Sequence, residues 1–426
     1  MQMEMFVLFG SFVILLMIGM PISFVLGISS LICMIVCGTN LLVIPTVYYA
    51  QLTNFVLLAV PLFILAANMM TITSMSSRII SISRIVVGNI KGGLALVNII
   101  ASMIFAGISG AALADASSIG TVLYKSMIDE GYEPDYSAAL SAASSSVGPI
   151  IPPSIPMVVA GVMANVSIAK LFIGGILPGL LIGLGQGIVA YIIAIKRNHP
   201  HSELPTVKKA FITFYKGIVD IFMPLIVIGG IIFGMFTPTE ASAIAVIYVL
   251  VIGLFRREFT WVKALEAIKA AIGVTSQVLF ITINAMIFGR VLTYARVPKM
   301  LIDFVLQNDL STLWVIALIC IVSLFLGTFL DGMQTLLLTV PIFLPVTILL
   351  GLDTLHITLL LVIASVVGSL TPPVGVLIYI MSTVSKLSIW AISKAIIPFL
   401  IVNIIVVFFV AYFPEIVLYL PNLLGK

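Results

Sequence analysis

Two passages rich in glycine, proline and hydroxyl groups interrupt the hydrophobic sequence of this chain at matching distances. Residues 106–115 read AGISGAALAD and are followed by GPIIPP at 148–153. Residues 326–335 read LGTFLDGMQT and are followed by GSLTPP at 368–373. The glycines and the prolines of the two copies share one sequence offset, because 327 − 107 and 372 − 152 are equal. Helix-breaking clusters at corresponding positions of two halves indicate a binding site built from interrupted helices.

The prolines of these clusters predict what the site can bind. A proline inside a helix has no amide N–H and leaves a carbonyl of the preceding turn without its partner. The first cluster loses three donors, at Pro149, Pro152 and Pro153, and the second loses two, at Pro372 and Pro373. Freed carbonyls beside serine and threonine hydroxyls make a neutral, oxygen-rich cage that suits a small cation such as Na⁺. The helix that resumes after the break has free N–H groups, which favour an anion such as a carboxylate.

The composition shows where such broken helices must lie. Hydrophobic residues make up 62% of the 426 residues, charged residues only 8%, and the mean hydropathy is +1.30. A soluble domain carries about 25% charged residues, so the sequence predicts an all-α polytopic membrane protein. Irregular backbone at membrane depth survives only inside protein or beside a wet cavity. No stretch interleaves basic and aromatic residues, so nucleic acid is not expected as a partner, whereas the lipid bilayer is.

The spacing of apolar segments predicts two repeats with the same plan. Each repeat begins with scaffold helices and ends with a re-entrant hairpin, a broken helix and a full span. The first repeat, 1–200, has its scaffold helices at 1–91, its hairpin and broken helix at 92–164 and its span at 171–195. A linker follows at 201–216. The second repeat, 217–426, has its scaffold helices and arm at 217–305, its hairpin and broken helix at 312–384 and its final helix at 389–412.

The basic residues predict the orientation of the repeats. Lysines and arginines cluster at 78–91, 196–216 and 256–269. Cytoplasmic loops carry an excess of such residues, so all three stretches, including the linker, are expected in the cytoplasm. The second repeat then has the opposite orientation to the first, and both termini lie outside.

Two aspartates of the hairpins have two interpretations each. Asp115 and Asp331 both precede an apolar helix, where a carboxylate can cap the helix; an intramembrane carboxylate also indicates a functional site. A pair of catalytic aspartates is a third interpretation, but ALAD and LGTFLD do not match an intramembrane aspartyl protease. The sequence has neither HExxH nor a GxxxxGK[ST] loop. The chain is therefore not expected to be an enzyme, and a channel remains a rival to a carrier.

Five passages in order resemble the large membrane subunit of tripartite ATP-independent periplasmic (TRAP) transporters. The passages are AGISGAALADASSIG, SAASSSVGPIIPPSIPMVVAG, GMFTPTEASA, LGTFLDGMQTLLLTVPIFLP and GSLTPPVG. The resemblance implies an inverted-repeat, elevator-type carrier, similar to the ion transporter superfamily, with two re-entrant hairpins and two broken helices. It also implies a bacterial inner membrane, with both termini in the periplasm.

The resemblance further implies Na⁺-coupled uptake of an organic acid, such as a sialic acid, a C4-dicarboxylate or a sugar acid. A periplasmic binding protein would deliver the acid, and a small four-helix membrane subunit would be a separate partner. The alternative is an ion or anion channel, or a proton-coupled organic anion carrier that works without a binding protein.

Carried over to this sequence, the resemblance implies two Na⁺ sites and a substrate site. The first Na⁺ site would comprise Ser109, Gly110, Ser146, Gly148, Pro149 and Pro152. The second would comprise Gly327, Thr328, Gly368, Thr371 and Pro372. Ser154 and Asp331 would lie near the substrate carboxylate. Na⁺ is the only ion expected, and no organic cofactor is implied.

Overall fold

The computed structural model describes residues 2–201 and 206–425. All regular secondary structure in these ranges is helical, and they contain no strand. Eleven α-helices precede residue 201: α1 (Gln2–Met17), α2 (Ile22–Val36), α3 (Val43–Leu52), α4 (Ala59–Thr71), α5 (Met75–Val87), α6 (Gly93–Ser109), α7 (Ala112–Asp115), α8 (Thr121–Asp129), α9 (Pro134–Ser145), α10 (Ile155–Ala164) and α11 (Ile168–Arg197). Ten follow residue 206: α12 (Val207–Ile232), α13 (Pro238–Phe255), α14 (Trp261–Tyr294), α15 (Val297–Gln307), α16 (Thr312–Gly327), α17 (Gly332–Leu349), α18 (Thr354–Gly368), α19 (Val376–Ser385), α20 (Ile389–Tyr412) and α21 (Glu415–Leu423).

The lengths of these helices fit a membrane protein. Six of the described helices are long and apolar enough to cross a membrane. The bent pair Val43–Leu52 and Phe55–Thr71, with an angle of 54° between its parts, would make a seventh span. The predicted all-α polytopic membrane protein is therefore confirmed.

Three boundaries differ from the sequence prediction. Helix α12 begins at Val207, inside the predicted linker 201–216, whose residues 202–205 lie outside the described residues. The short helices α3 and α21 were not predicted, because neither is long enough to give a strong apolar signal. The second arm of the first hairpin, expected at 117–128 from its apolar sequence, already begins at Ala112 and continues through a π-helical turn, 116–120, into α8.

The helices can be grouped into two sets of neighbours, which touch each other where α5 packs against α6 and α14 against α17. Helix α2 packs against α14, α4 packs against both α13 and α14, and α5 packs against α12. In the other set, α10 packs against α17 and α18, while α19 packs against α9 and the π-helical turn. Within the second set, the C-terminal helix of each interrupted pair thus lies against the opposite half of the chain.

Helices α9 and α18 lie at the centre of the second set. Every residue from Tyr136 to Gly161 is buried except Ile151, and so is every residue at 355–370. Each buried stretch includes the point at which its helix stops. The first interruption lies in the protein interior, whereas the second is buried only at 369–370 and 375.

A buried ion-pair network fastens α5 to its neighbours. Arg78 Nε lies 2.6 Å from Asp220 Oδ2 of α12, and Arg256 Nη1 lies 2.7 Å from Asp220 Oδ1. Arg78 Nη1 also donates to Glu258 Oε1 at 2.7 Å, in the loop between α13 and α14. That hydrogen bond holds the pKa of the Glu258 carboxyl below its usual range. Asp220 is fully buried, and its two cationic partners offset the cost of burying its charge.

Candidate functional site

The first interruption separates α9 from α10, and the tip of the α6–α7 hairpin lies directly against it. Gly110, just after α6, has φ of +58°, and a Cβ there would lie 2.6 Å from the carbonyl oxygen of Pro153. Only glycine combines that backbone conformation with so close an approach. The backbone N–H of Ile155, the first residue of α10, donates to the Gly110 carbonyl at 3.3 Å. The hairpin tip is therefore bound to the start of the resuming helix.

The second interruption, between α18 and α19, is closed by the equivalent contact. The backbone N–H of Gly375 donates to the Thr328 carbonyl at 3.0 Å. Gly375 holds the place in the second repeat that Ile155 holds in the first, because 375 − 155 equals the offset of the prolines, 372 − 152. The peptide bonds Pro152–Pro153 and Pro372–Pro373 are both cis.

The matching sequence clusters thus correspond to matching backbone contacts between tip and break. The sequence alone did not reveal these two hydrogen bonds, because each joins a hairpin tip to a helix start that lies far along the chain.

Asp115 lies at the first interruption and is not a helix cap. Its carboxylate is fully buried and makes no capping bond to the following helix. Oδ1 accepts a hydrogen bond from Ser109 Oγ, whereas Oδ2 has no hydrogen-bond partner among the described residues. A Cβ placed on Gly148 would lie 2.2 Å from Oδ2, so the carboxylate is packed against the Gly148 backbone. Of the two sequence interpretations, the structure does not show the helix cap.

The six residues predicted for the first Na⁺ site are all buried at this tip and break. Asp115 joins two of them, because it contacts both Ser109 and Gly148. Some oxygens of the set have protein partners. The Pro149 carbonyl accepts from Ser154 Oγ at 2.5 Å, and Ser146 Oγ donates to the Ala143 carbonyl at 2.7 Å.

The five residues predicted for the second Na⁺ site also lie at one tip and break. The backbones of Gly327 and Gly368 touch, since a Cβ on Gly327 would lie 2.6 Å from the Gly368 Cα. The Thr328 hydroxyl donates to the Phe325 carbonyl at 2.7 Å. Thr371 Oγ1 donates to the Val367 carbonyl at 3.3 Å, and both Thr371 and Pro372 are half-buried.

Sequence reasoning missed three buried hydroxyls around the second break. Ser323, Thr335 and Ser365 stand on α16, α17 and α18, and none of their hydroxyl oxygens has a hydrogen-bond partner in the part of the chain that the structure describes. Thr335 follows Asp115 by the repeat offset, since 335 − 115 equals 327 − 107. That offset could therefore have identified Thr335 as the counterpart of Asp115.

Ser154 and Asp331, the two residues predicted near the substrate, both cap helices. Ser154 Oγ accepts from the Met157 N–H at 3.2 Å at the start of α10. Asp331 accepts from the Met333 N–H at 3.2 Å, and Gln334 completes a capping box at the start of α17. The cap interpretation of Asp331 is therefore the one that the structure shows. Both residues stand at helix N-termini, where the dipole favours an anion.

Comparisons with known proteins identify the family of this chain. Residues 9–416 match the family described as the tripartite ATP-independent periplasmic transporter, DctM component. The chain is 35% identical to the sialic acid TRAP transporter large permease protein SiaM of Vibrio cholerae, over 96% of each chain. It is 32% identical to the C4-dicarboxylate TRAP transporter large permease protein DctM of Pseudomonas aeruginosa, over 87% of each.

A longer relative and a solved structure add to these matches. The isethionate TRAP transporter permease protein DctMQ of Oleidesulfovibrio alaskensis is 34% identical, over 96% of this chain but only 65% of that protein. Among solved structures, the YdaH transporter of Alcanivorax borkumensis has the same fold, with a TM-score of 0.64, 13% identity and 86% coverage of each chain.

Proposed function

This chain belongs to the DctM family of TRAP transporter large permeases, and from that premise we propose that it carries an organic acid into the cell together with Na⁺. Membership makes the protein a transporter component in the bacterial inner membrane rather than an enzyme. Its relatives are named for sialic acid, C4-dicarboxylates and isethionate. The shared feature of these substrates is an acidic group, and the substrate class proposed here is accordingly a small organic acid.

The observation that carries the Na⁺ coupling is the Asp115 carboxylate. An ionised carboxylate that is fully buried is very costly unless a cation or a proton neutralises it. The Arg78–Asp220–Arg256 network shows how this chain neutralises another buried aspartate with arginines. Asp115 Oδ2 has no such partner in the described ranges and faces Gly148, at the end of an interrupted helix. A carboxylate oxygen beside hydroxyls and freed carbonyls is a ligand set that fits Na⁺.

Both sequence-derived ion sites and the substrate site enter the proposal. Na⁺ would bind at Ser109, Gly110, Ser146, Gly148, Pro149 and Pro152, with Asp115 added, and at Gly327, Thr328, Gly368, Thr371 and Pro372. The acid would meet the helix starts at Ser154 and Asp331, with its charge towards the backbone N–H groups. Because the Asp331 carboxylate would repel a second anion, its proposed role is to order the start of α17 rather than to touch the acid.

The movement that we propose is of the elevator type. The first set of helices, built around α2, α4, α13 and α14, would be the scaffold. The second set interlocks both hairpins and both interrupted helices, which supports its movement as one body. Helix α5, held to α12 by Arg78 and Asp220, would remain with the scaffold. The two repeats would be inverted, which places the linker 201–216 in the cytoplasm and both termini in the periplasm.

Two protein partners complete the proposal. The family's name describes a tripartite system, so the permease is expected to work with a periplasmic binding protein and a small membrane subunit. The binding protein would deliver the acid to the outer face, and the small subunit would brace the scaffold.

A second candidate is a proton-coupled carrier of organic anions, because Asp115 could be neutralised by a proton instead of Na⁺. Uptake into proteoliposomes separates the two. The permease and its small subunit would be reconstituted, and a panel of radiolabelled organic acids tried with and without the purified binding protein. Uptake that requires an inward Na⁺ gradient and the binding protein supports the proposal. Uptake driven by a proton gradient without Na⁺ supports the second candidate, and rapid equilibration of the acid without any ion gradient would indicate a channel.

A further inference from the structure

A ring of hydrogen bonds at the first break joins the last spans of the two halves. Gln186 on α11 donates from Nε2 to Asn403 Oδ1 on α20 at 3.1 Å and to the Ala143 carbonyl of α9 at 3.0 Å. Asn403 Nδ2 in turn donates to Ser146 Oγ at 3.4 Å. Ser146 Oγ closes the ring by donating to the Ala143 carbonyl at 2.7 Å. All of these residues are fully buried.

The sequence makes the two amides unusual in their helices. Gln186 is the only asparagine or glutamine in the 30 residues of α11, and Asn403 is the only one in the 24 residues of α20. Gln186 belongs to the first repeat and Asn403 to the second, and their separation in sequence is close to the repeat offset, so each half supplies one member. Polar side chains inside membrane spans are costly, and those that occur serve packing contacts between helices or a functional site.

The ring fixes the direction in which the Ser146 hydroxyl points. A serine hydroxyl has one donor and two acceptor positions. The donor is used on the Ala143 carbonyl, and the Asn403 amide occupies one acceptor position. One lone pair remains, with its direction set by the other two bonds. Gln186 holds Asn403 in the required orientation, because the amide oxygen of Asn403 faces Gln186 and its N–H₂ group faces Ser146.

The ring does not satisfy every polar atom of its side chains. Gln186 Oε1 is buried and has no hydrogen-bond partner among residues 2–201 and 206–425. An unsatisfied buried acceptor carries a free-energy penalty that a hydrophobic side chain of similar volume would avoid. Stability alone therefore does not explain why an amide stands at this position.

We infer that Gln186 and Asn403 are positioning residues that hold Ser146 Oγ for the coupling ion and connect that site to the second half of the chain. This inference rests on the proposed Na⁺ coupling. Neither amide touches the ion or the acid; both act through Ser146. Because α20 also packs against α16, α18 and α19, a change in the order of Ser146 is passed to the helices of the second break.

The test is the Na⁺ dependence of uptake by Asn403→Leu, Gln186→Leu and the double variant, in proteoliposomes with the small subunit and binding protein. Asn403→Leu should raise the half-saturating Na⁺ concentration about fivefold, the equivalent of one net hydrogen bond. The KM for the acid at saturating Na⁺ should stay unchanged. The double variant removes both amides, so it should recover the thermal stability of the wild type while its half-saturating Na⁺ concentration stays high.

Recovery of both stability and Na⁺ affinity in the double variant would overturn the inference, because the amides would then only satisfy each other. Asn68→Leu is the matched control: Asn68 donates to the Ile64 carbonyl of its own helix, at 2.9 Å, and its loss should leave Na⁺ dependence unchanged. Wild-type uptake that is independent of Na⁺ would contradict the proposed function itself, which distinguishes the two failures.

A double-mutant cycle tests whether Asn403 acts through Ser146. In a Ser146→Ala background, adding Asn403→Leu should cause no further rise in the half-saturating Na⁺ concentration, whereas independent roles would give additive shifts. If Asn403→Leu does not yield folded protein, Gln186→Met replaces it. That variant keeps Asn403 but removes the hydrogen bond that its side-chain oxygen accepts from Gln186, so the Asn403 amide is no longer held in one orientation. The half-saturating Na⁺ concentration should then rise about twofold. An unshifted value for Gln186→Met would also contradict the inference.

Discussion

In the first half of the chain the Asp115 carboxylate lies against Gly148, and in the second half Gly368 lies directly against Gly327. The residue that corresponds to Asp115 in the second half is Thr335, which has a hydroxyl and no charge. The two breaks nevertheless share their backbone contacts, since each resuming helix donates an N–H to the tip of its hairpin. The two halves therefore share the backbone geometry of the break but differ in the charge of the side chain at this position.

The two breaks also differ in their access to the surroundings. The first is buried along almost its whole length, whereas Thr371 and Pro372 of the second are half-buried and Val374 is 38% exposed. A charged, enclosed site can hold a cation without help from a bound anion. A neutral, more exposed site binds a cation more weakly, so a neighbouring anion adds more to the binding free energy of the cation there. Under the proposed function, the first site would bind Na⁺ first, and the second would be completed together with the acid.

Asp115→Asn should have the largest effect, because it removes the charge from the first site and keeps the shape. We expect Na⁺-driven uptake to fall about a hundredfold or more, the range seen when one partner of a buried ion pair is removed. Radiolabelled uptake at several Na⁺ concentrations measures this. Asp129→Asn, at a carboxylate that is not buried, is the control and should keep normal uptake. Normal Na⁺ dependence in Asp115→Asn would show that the charge at the first break is not needed for Na⁺ binding, and would contradict the proposed difference between the two breaks.

Gly327→Ala should have the next largest effect, because it destabilises the folded protein. The added methyl group would lie 2.6 Å from the Gly368 Cα, which is backbone and cannot move aside. Overpacking of this kind costs about 1–3 kcal/mol. The melting temperature of the purified protein should fall in both the presence and the absence of Na⁺.

A glycine variant at the first break, Gly148→Ala, should behave differently. Its methyl group would meet the Asp115 carboxylate, a side chain, at 2.2 Å. A displaced carboxylate should weaken Na⁺ binding with a smaller loss of stability. Equal melting temperatures and equal Na⁺ affinities for the two alanine variants would argue against a difference between the breaks.

The sequence predicted where α9 and α18 end, because proline and glycine act locally. Pro149, Pro152 and Pro372 remove amide donors wherever they stand in a helix, so the places where α9 and α18 end followed from residue type alone. The membrane class followed from composition in the same way. These predictions needed no knowledge of which helices are neighbours.

What the sequence left open depends on contacts between distant segments. Asp115 and Asp331 have similar local settings, yet one faces Gly148 and the other caps α17. That difference arises from how the hairpin lies on the break, and no local pattern encodes it. The bond from Gln186 to Asn403 joins residues in different repeats, so single-sequence reasoning had no basis on which to pair them.

Thr371→Ala should have a moderate effect that tests the second site. The variant removes a hydroxyl at a half-buried position, so folding should be little affected. The half-saturating Na⁺ concentration should rise about fivefold, since one net hydrogen bond or ligand is lost. Thr383→Ala is the control, because its hydroxyl bonds the Tyr379 carbonyl of its own helix. If Thr371→Ala uptake keeps the wild-type Na⁺ dependence, Thr371 is not a ligand.

Thr335→Val should have the smallest effect and gives the finest test of the comparison. Valine has nearly the shape of threonine, and the Thr335 hydroxyl has no hydrogen-bond partner within the described residues. Removing a buried unsatisfied hydroxyl should stabilise the Na⁺-free protein by about 1 kcal/mol. If the hydroxyl is a Na⁺ ligand, the rise in melting temperature that Na⁺ causes in the wild type should become smaller in the variant. An unchanged Na⁺-induced rise would mean that the counterpart of Asp115 has lost its ligand role as well as its charge, and that the second site lies entirely at the tip and the break.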